Sequence, residues 1–520
     1  MAPEPVAGPG EPALTDVALE RQDAAGPRRP APTGEGSTSG AGPAPAGATW
    51  AGRAVRRIRR LSLSSWFVIL ALGFGTFLVF AQPPGQGLDE MNHFYRAWTL
   101  AHGTLVAPIT DKRAGAQVPA CISAYFAHFS TVAAGRAPFS FGDYWHSIAH
   151  CPSGSVWVPF ENTAVNGPVS YAPHVVAIAV LSGLGAPLPV VFFGGRLASL
   201  LVYVAIFFLA IRITPVGKHV MVVLGLLPTT LLLAAGYSAD PMAISLAVLA
   251  VALTLRCCVS ASASWRTFAC LVGVLAAMAL TKNTYFILAP LLLLVPNAVT
   301  GKWRHPLLVK LGAMVVVVAL AGMWYLAIRH VSLAAYRPAG PQFPIDEAAQ
   351  RRFILHHPVA YVKVLARTIF DNTSEAQIIP GFFSSVGYYR PAVGDQPFAP
   401  FGIVIVGSVT LWYAFWLQLG ARRLLHGARR VFAWVPVVLA LAGALIVMTT
   451  FWIYWTPVRQ LVVVGLQGRY FVPFVALPLV TIGLLRQPRI VRHANRWVLA
   501  GSTSMLVWLV VKIFVHDYGL

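Results

Sequence analysis

The sequence predicts an all-α membrane protein with about eleven transmembrane helices and two long extracytoplasmic loops. Three observations lead to this fold class. Hydrophobic residues make up 57% of the 520 residues, and the mean hydropathy is +0.66. Charged residues make up 11%, whereas a soluble domain has about 25%. The apolar residues also fall in long runs of helical rather than strand length, as membrane-spanning helices do.

The first 60 residues differ in composition from the rest and are predicted to be a disordered cytoplasmic tail. They are rich in Pro, Ala, Gly and Ser and have few large apolar side chains, so they cannot bury enough surface to offset the entropy of ordering. A basic cluster before the first apolar run is expected to hold this tail inside the cell. It consists of Arg53, Arg56, Arg57, Arg59 and Arg60. Residues 61–520 are predicted to form the polytopic membrane domain.

Eleven apolar runs are long enough, or nearly long enough, to cross a bilayer as helices. They lie at about 62–81, 190–211, 219–236, 241–256, 267–281, 284–298, 307–328, 400–419, 431–451, 470–485 and 497–515. We keep 267–281 and 284–298 apart because a single merged span would place Lys282 in hydrocarbon, at a cost of about 3 kcal/mol or more.

The basic residues assign sides to the loops between these runs. With the N-terminus inside, the three short outer loops carry only Lys282, Arg459 and Arg469, whereas the five short inner loops carry 15 arginines and lysines. This distribution obeys the positive-inside rule. If a further apolar run at 169–188 also crossed the membrane, every later loop would change sides and the rule would be inverted. We therefore expect that run to lie along the outer surface or to dip in and out.

The same topology places every acidic residue after the tail on the outer side, where the two long loops, 82–189 and 329–399, also lie. An active site is therefore expected on the outer face. The net charge of +21 does not indicate nucleic-acid binding, because the basic residues form short clusters between apolar runs. The chain also has no GxxxxGK[ST] loop for a nucleoside triphosphate.

The first outer loop opens with "QPPGQGLDEMNHFYRAW", residues 82–98, in which two carboxylates follow the end of a predicted span. Asp89 and His93 share one helical face at i, i+4 spacing, with Glu90 close by. One interpretation is a capped interfacial helix in which an acid pairs with Arg96. The other is a catalytic or metal-binding carboxylate pair at the membrane surface.

This segment resembles the D-E-x-x-H-F stretch of a family of predicted membrane proteins, domain of unknown function 2142. Three later segments are similar to the same family: "YSADPMAISLAVLAVAL" at 237–253, "ALTKNTYFILAPLLLL" at 279–294 and "GLQGRYFVPFVALPL" at 465–479. A long outer loop that follows the first span and opens with acids also resembles the GT-C class of membrane glycosyltransferases.

The GT-C resemblance implies transfer of a sugar from a polyprenyl-phosphate donor to a cell-envelope glycan on the extracytoplasmic side. Asp89 would then be the base or a metal ligand, supported by Glu90 and His93. The candidates for binding the lipid phosphate are Lys282, Arg459 and Arg469. Each of these cations could instead extend to lipid headgroups. The sequence leaves open whether a divalent cation is bound.

Two further predictions concern the outer side. Cys121 and Cys151 lie in the first outer loop, where an oxidising environment favours a disulfide between them. Asp240 either caps the helix that begins at Pro241 or faces the same outer site.

Two other functions compete with the transferase in the cell membrane. One is a transporter or flippase of envelope lipids, and the other is a non-catalytic membrane scaffold. A transporter is expected to have acids or broken helices at mid-membrane, and we identify none well inside a predicted span.

Overall fold

The computed structural model describes residues 61–133, 142, 151–260, 262–301, 303–333, 344–370, 378–384, 399–420 and 429–518. The predicted N-terminal tail lies outside these residues. The described chain is mostly helical, and seven of its helical segments are long and apolar enough to cross a membrane. The predicted class of helical membrane protein is confirmed at this level.

The α-helices follow in chain order. They are α1 (Leu63–Ala81), α2 (Glu90–Ala101), α3 (Ala120–Ala133), α4 (Glu161–Ala164), α5 (Ala172–Gly183), α6 (Leu188–Ile213), α7 (Lys218–Gly225), α8 (Pro228–Ala234), α9 (Asp240–Val259), α10 (Trp265–Ala279), α11 (Asn297–Thr300), α12 (Pro306–Ile328), α13 (Glu347–His356), α14 (Pro358–Phe370), α15 (Ile378–Phe383), α16 (Phe401–Trp416), α17 (Arg429–Phe432), α18 (Val435–Tyr454), α19 (Val472–Val475), α20 (Pro478–Leu485) and α21 (Ala494–Tyr518). Three 3₁₀ segments cover Pro168–Tyr171, Asn283–Leu294 and Gly468–Phe471.

The seven candidate spans are fewer than the eleven runs predicted from the sequence. They are α1, α6, α9, α12, α18, the run Gly468–Leu485 and Ala494–Val515 within α21. The remaining predicted spans correspond to shorter or interrupted segments: α7 with α8, α10, the 3₁₀ segment Asn283–Leu294, and α16. The eleven-span count therefore stays a prediction.

The predicted span 219–236 is two helices, because Pro228 begins α8 and its ring nitrogen has no N–H to continue the ladder from α7. Side chains satisfy the carbonyls that this break releases. Thr230 Oγ1 donates to the carbonyls of Leu224 at 2.8 Å and Leu227 at 3.0 Å. The Tyr203 hydroxyl donates to the Gly225 carbonyl at 3.0 Å. A broken helix is tolerated in an apolar setting when its backbone groups are paired in this way.

A small antiparallel sheet lies within the first predicted outer loop, which corrects the all-α prediction. Its strands are β1 (Ile109–Thr110), β2 (Arg113–Pro119) and β3 (Ser155–Pro159), in the order β1-β2-β3. Ala116 opposes Val158 in the register of β2 and β3. The longest strand, β2, has the sequence RAGAQVP and does not alternate apolar with polar residues, so its sequence lacks the period of two that indicates a strand.

Four helix ends lie close together: the ends of α1 and α10 and the starts of α2 and α9. The side chain of Arg196, in the first half of α6, reaches the backbone at the end of α1. Glu90, which begins α2, accepts a hydrogen bond from the Tyr237 N–H just before α9. Lys282, just after α10, pairs with Asp240 at the start of α9. The four helix ends form the floor of the candidate site.

Candidate functional site

Four charged side chains meet at this floor. Lys282 Nζ forms an ion pair with Asp240 Oδ1. Arg469 lies between the two acids, with Nε 3.1 Å from Asp240 Oδ2 and Nη2 3.6 Å from Asp89 Oδ2. The four residues are far apart in sequence but contiguous in space, and we call them the charged cluster. Asp240 thus takes part in the site, and the N-cap of α9 is Ala239.

Asp89 occupies the N-cap position of α2, but its carboxylate makes no capping hydrogen bond. Its backbone has φ 57°, in the left-handed region that a non-glycine residue seldom adopts. Asn162 Nδ2 donates to Asp89 Oδ1 at 3.1 Å, and the side chain is 29% exposed. The Asp89 carboxylate therefore lies within the charged cluster and remains partly exposed.

Glu90 lies in a different environment from its neighbour Asp89. Its side chain is fully buried and forms a two-pronged ion pair with Arg196, at 2.8 Å from Nε and 2.6 Å from Nη2. It also accepts the backbone N–H groups of Gly85 at 3.0 Å, Gly87 at 3.4 Å and Tyr237 at 3.0 Å. Both carboxylate oxygens are thus occupied by donors from the protein.

The structure corrects the sequence-based pairing of an acid with Arg96. Arg96 donates instead to the carbonyls of Thr104 and Leu105, and the partner of Glu90 is Arg196. Arg196 was not selected from the sequence. An arginine inside an apolar run nevertheless indicates a buried ion pair, because an unpaired charge is costly there.

His93 is buried, and its Nδ1 lies 2.6 Å from the Tyr171 hydroxyl. Burial lowers the pKa of His93 to about 3; Asp240 opposes this shift, and Arg469 and Lys282 add to it. The imidazole is therefore neutral at physiological pH and acts as a hydrogen-bonding group beside the charged cluster.

Arg469 is 3% exposed and is held by the turn that begins the run Gly468–Leu485. A Cβ at Gly468 would overlap the Ile378 carbonyl and the Phe382 backbone nitrogen, so the chain can pass here only with glycine. Arg469 Nη2 donates to the Tyr470 hydroxyl at 3.1 Å, while Nη1 is buried with no hydrogen-bond partner. A buried guanidinium nitrogen without an acceptor is costly unless a ligand or water completes it.

The other predicted site residues lie as follows. Arg459 is exposed on a turn with φ 68°, and no ion pair between described residues joins it to the charged cluster. Cys121 and Cys151 form a disulfide with Cα atoms 4.7 Å apart. It fastens the start of α3 to the chain that leads into β3.

A divalent cation does not fit the charged cluster as it stands. Within the described ranges, no group of three or more His, Cys, Asp or Glu side chains comes together to hold a metal. Asp89 and Asp240 each lie beside a nitrogen of Arg469, so both carboxylates face a cation of the protein itself.

The family comparison covers most of the chain and the whole cluster. Residues 72–478 match the family described as predicted membrane proteins, DUF2142. The chain belongs to the DUF2142 family. The DUF2142 match includes Asp89, Glu90, Asp240, Lys282 and Arg469. It names no activity, and no curated protein matches the chain.

Proposed function

We propose that this DUF2142 protein is a glycosyltransferase that moves a sugar from a polyprenyl-phosphate donor to a cell-envelope glycan outside the membrane. The observation that carries the proposal is the charged cluster, in which a partly exposed carboxylate lies 3.6 Å from a buried arginine. A lipid-linked donor needs its reacting bond at the end of the spans, where its headgroup emerges from the bilayer.

Arg469 and Lys282 would bind the donor phosphate. Arg469 Nη1 is a buried donor with no acceptor, and Lys282 is 21% exposed beside it in the cluster. Both cations lie over the ring of Tyr470, at 5.1 and 5.0 Å from its centroid, which fixes their positions. Cations held in a preorganised, poorly hydrated site stabilise the negative charge of a departing phosphate.

Asp89 would be the base. Its carboxylate takes the proton of the acceptor hydroxyl as that oxygen forms a bond to the anomeric carbon. The bond from the anomeric carbon to the phosphate oxygen breaks, and the polyprenyl phosphate leaves with the electron pair. Asn162 orients Asp89 through the 3.1 Å hydrogen bond, and neutral His93 adds no charge that would oppose the reaction.

The test uses the purified full chain with synthetic polyprenyl-phosphate hexoses and pentoses, radiolabelled in the sugar, and membrane extract as acceptor. We expect one donor to release polyprenyl phosphate and to label a glycan. Asp89→Asn should slow this by about 10²-fold or more, as loss of a general base does. The matched control is Asp111→Asn, at an exposed acid of the same outer segment, which should retain the wild-type rate.

Two results would contradict the transferase. Either no donor is consumed by the wild-type protein, or Asp89→Asn transfers sugar at the wild-type rate with normal protein levels.

The second candidate is a transporter of envelope lipids, which the interrupted segments favour. The break between α7 and α8 and the 3₁₀ segment Asn283–Leu294 are the irregular helices that transporter sites use. The same labelled donors in proteoliposomes separate the two functions: movement of the donor between leaflets without release of polyprenyl phosphate would favour the transporter.

A further inference from the structure

We propose that Arg196 and Glu90 form a buried clamp that sets the separation of the two acids in the charged cluster, so that Arg196 is a positioning residue for the reaction although it touches no substrate. The activity readout of this inference rests on the proposed function, whereas its structural readout does not.

The Arg196 guanidinium is hydrogen-bonded to segments outside α6. All five N–H groups have acceptors: Nε and Nη2 bind Glu90, Nη1 donates to Val79 at 2.8 Å and Gln82 at 2.6 Å, and Nη2 also donates to Pro83 at 3.3 Å. The side chain thus joins α6 to the end of α1 and to the turn that follows. Its Cζ also lies over the Phe192 ring at 4.6 Å from the centroid.

Glu90 extends the clamp in two directions. Its Oε2 accepts from the N–H groups of Gly85 and Gly87, which lie in the turn that delivers Asp89. Its Oε1 accepts from the N–H of Tyr237, three residues before Asp240. Because Asp89 adjoins Glu90 and Asp240 follows Tyr237 closely, a single buried carboxylate is hydrogen-bonded to the segments that carry both acids.

The backbone of Asp89 needs such support. A φ of 57° is unfavourable for aspartate, and its carboxylate gains no capping hydrogen bond in return. The clamp fixes the turn on one side of Asp89 and the first residue of α2 on the other. The carboxylate is thereby turned from the helix N-terminus toward Asn162 and Arg469.

Hydrogen–deuterium exchange of the full chain tests the clamp without any substrate. Arg196→Lys keeps the charge but has only three N–H donors and no fork. We expect the amides of 82–90 and 236–240 to exchange at least tenfold faster in this variant. The matched control is Arg96→Lys, since Arg96 is equally buried but, among the described residues, donates to the Thr104 and Leu105 carbonyls and not to 82–90 or 236–240. It should leave both segments at the wild-type rate.

A second variant keeps the test decisive if Arg196→Lys does not fold. Glu90→Gln preserves the shape of the side chain and should raise the rate of amide exchange in the same two segments by a smaller factor.

The kinetic test of the clamp needs a donor that the protein consumes. With that donor, Arg196→Lys should lower kcat at least tenfold and leave KM for the donor within twofold, because the phosphate-binding cations are not part of the clamp.

The possible results distinguish failure of the clamp from failure of the proposed transferase function. Unchanged exchange in 82–90 and 236–240, or an equal rise with Arg96→Lys, would overturn the clamp even if the protein is a transferase. A wild-type protein that consumes no donor would overturn the proposed function, while the exchange data would still decide the clamp.

Discussion

Neighbouring acids in this protein have opposite surroundings. Asp89 is partly exposed and lies beside Arg469 and Asn162, while the side chain of Glu90 is buried against Arg196 and three backbone N–H groups. The exposed acid can exchange partners with a ligand, and the buried one cannot without losing several hydrogen bonds. The acidic pair of the sequence therefore divides into one candidate reacting group and one positioning group.

Gly468 allows the backbone before Arg469 to pass close to 378–382, so Gly468→Ala should displace Arg469 from the two acids of the charged cluster. The new methyl group would overlap the backbone at Ile378 and Phe382, and relieving such overpacking costs about 1–3 kcal/mol. We expect a lower midpoint of thermal unfolding and a loss of transfer activity. Gly273→Ala in α10 is the control, since a methyl group there meets no atom within 4 Å; an equal effect of the two changes would refute the role of Gly468.

Burial of His93 makes stability depend on pH in a definite direction. Its pKa is about 3 in the folded protein against about 6.5 when unfolded, so the unfolded chain takes up a proton that the folded protein does not. The stability due to neutral His93 is present above about pH 6.5 and is lost as pH falls toward 3. At pH 5 the loss is about 2 kcal/mol.

His93→Gln should therefore reduce the drop in unfolding midpoint between pH 7 and pH 5. The measurement is thermal unfolding of the detergent-purified protein at the two pH values, with His102→Gln as the exposed control at the other end of α2. An identical drop in wild type and His93→Gln would show that His93 does not couple to folding.

Residue types and spacing were enough to select Asp89, Lys282 and Arg469 as candidates, because charges at the ends of apolar runs are conspicuous. They did not distinguish Glu90 from Asp89, since burial depends on the partner that the fold brings near. Arg196 lies 106 positions from Glu90, and no local pattern encodes a contact over that distance.

At the level of elements, the irregular segments are what the sequence described least well. By hydropathy, 219–236 is one apolar run. Pro228 divides it into α7 and α8, and the Thr230 hydroxyl donates to the carbonyls that the break leaves unpaired. The 12-residue 3₁₀ segment Asn283–Leu294 contains Pro290. With a rise of about 2 Å per residue it covers roughly 24 Å, more than an α-helix of equal length.

The disulfide should stabilise the region of α3 and β3. It closes a segment with a sequence separation of 30, for which loop-closure arguments give about 3 kcal/mol. Replacing Cys121 and Cys151 together by serine should lower the unfolding midpoint and remove its sensitivity to reductant. Cys270→Ser, at an exposed free cysteine, should change neither; a disulfide-free variant that unfolds at the wild-type midpoint would contradict the prediction.

At the scale of the whole molecule, composition was sufficient to predict a helical membrane protein, because few charges and long apolar runs are typical of that class. The number of crossings was harder to predict. Among the described residues, seven helical segments are long enough by themselves, and the remaining predicted spans depend on shorter or interrupted segments.

The predicted orientation has a direct test at this scale. With the free cysteines Cys257, Cys258 and Cys270 replaced by serine, Leu105→Cys should react with a membrane-impermeant maleimide in intact cells. Arg304→Cys should react only after the membrane is opened. Both positions are exposed, so accessibility within the protein is matched, and the reverse labelling pattern would place the charged cluster on the inner face.

The proposed transfer requires the charged cluster to bind a lipid-linked sugar phosphate. A structure of the full chain with a non-cleavable polyprenyl-phosphonate sugar tests this requirement. We expect phosphonate oxygens within hydrogen-bonding distance of Arg469 Nη1 and Lys282 Nζ, and the anomeric carbon on the side of Asp89. A phosphonate bound elsewhere, with Arg469 Nη1 still without an acceptor and Asp89 remote from the sugar, would contradict this proposal.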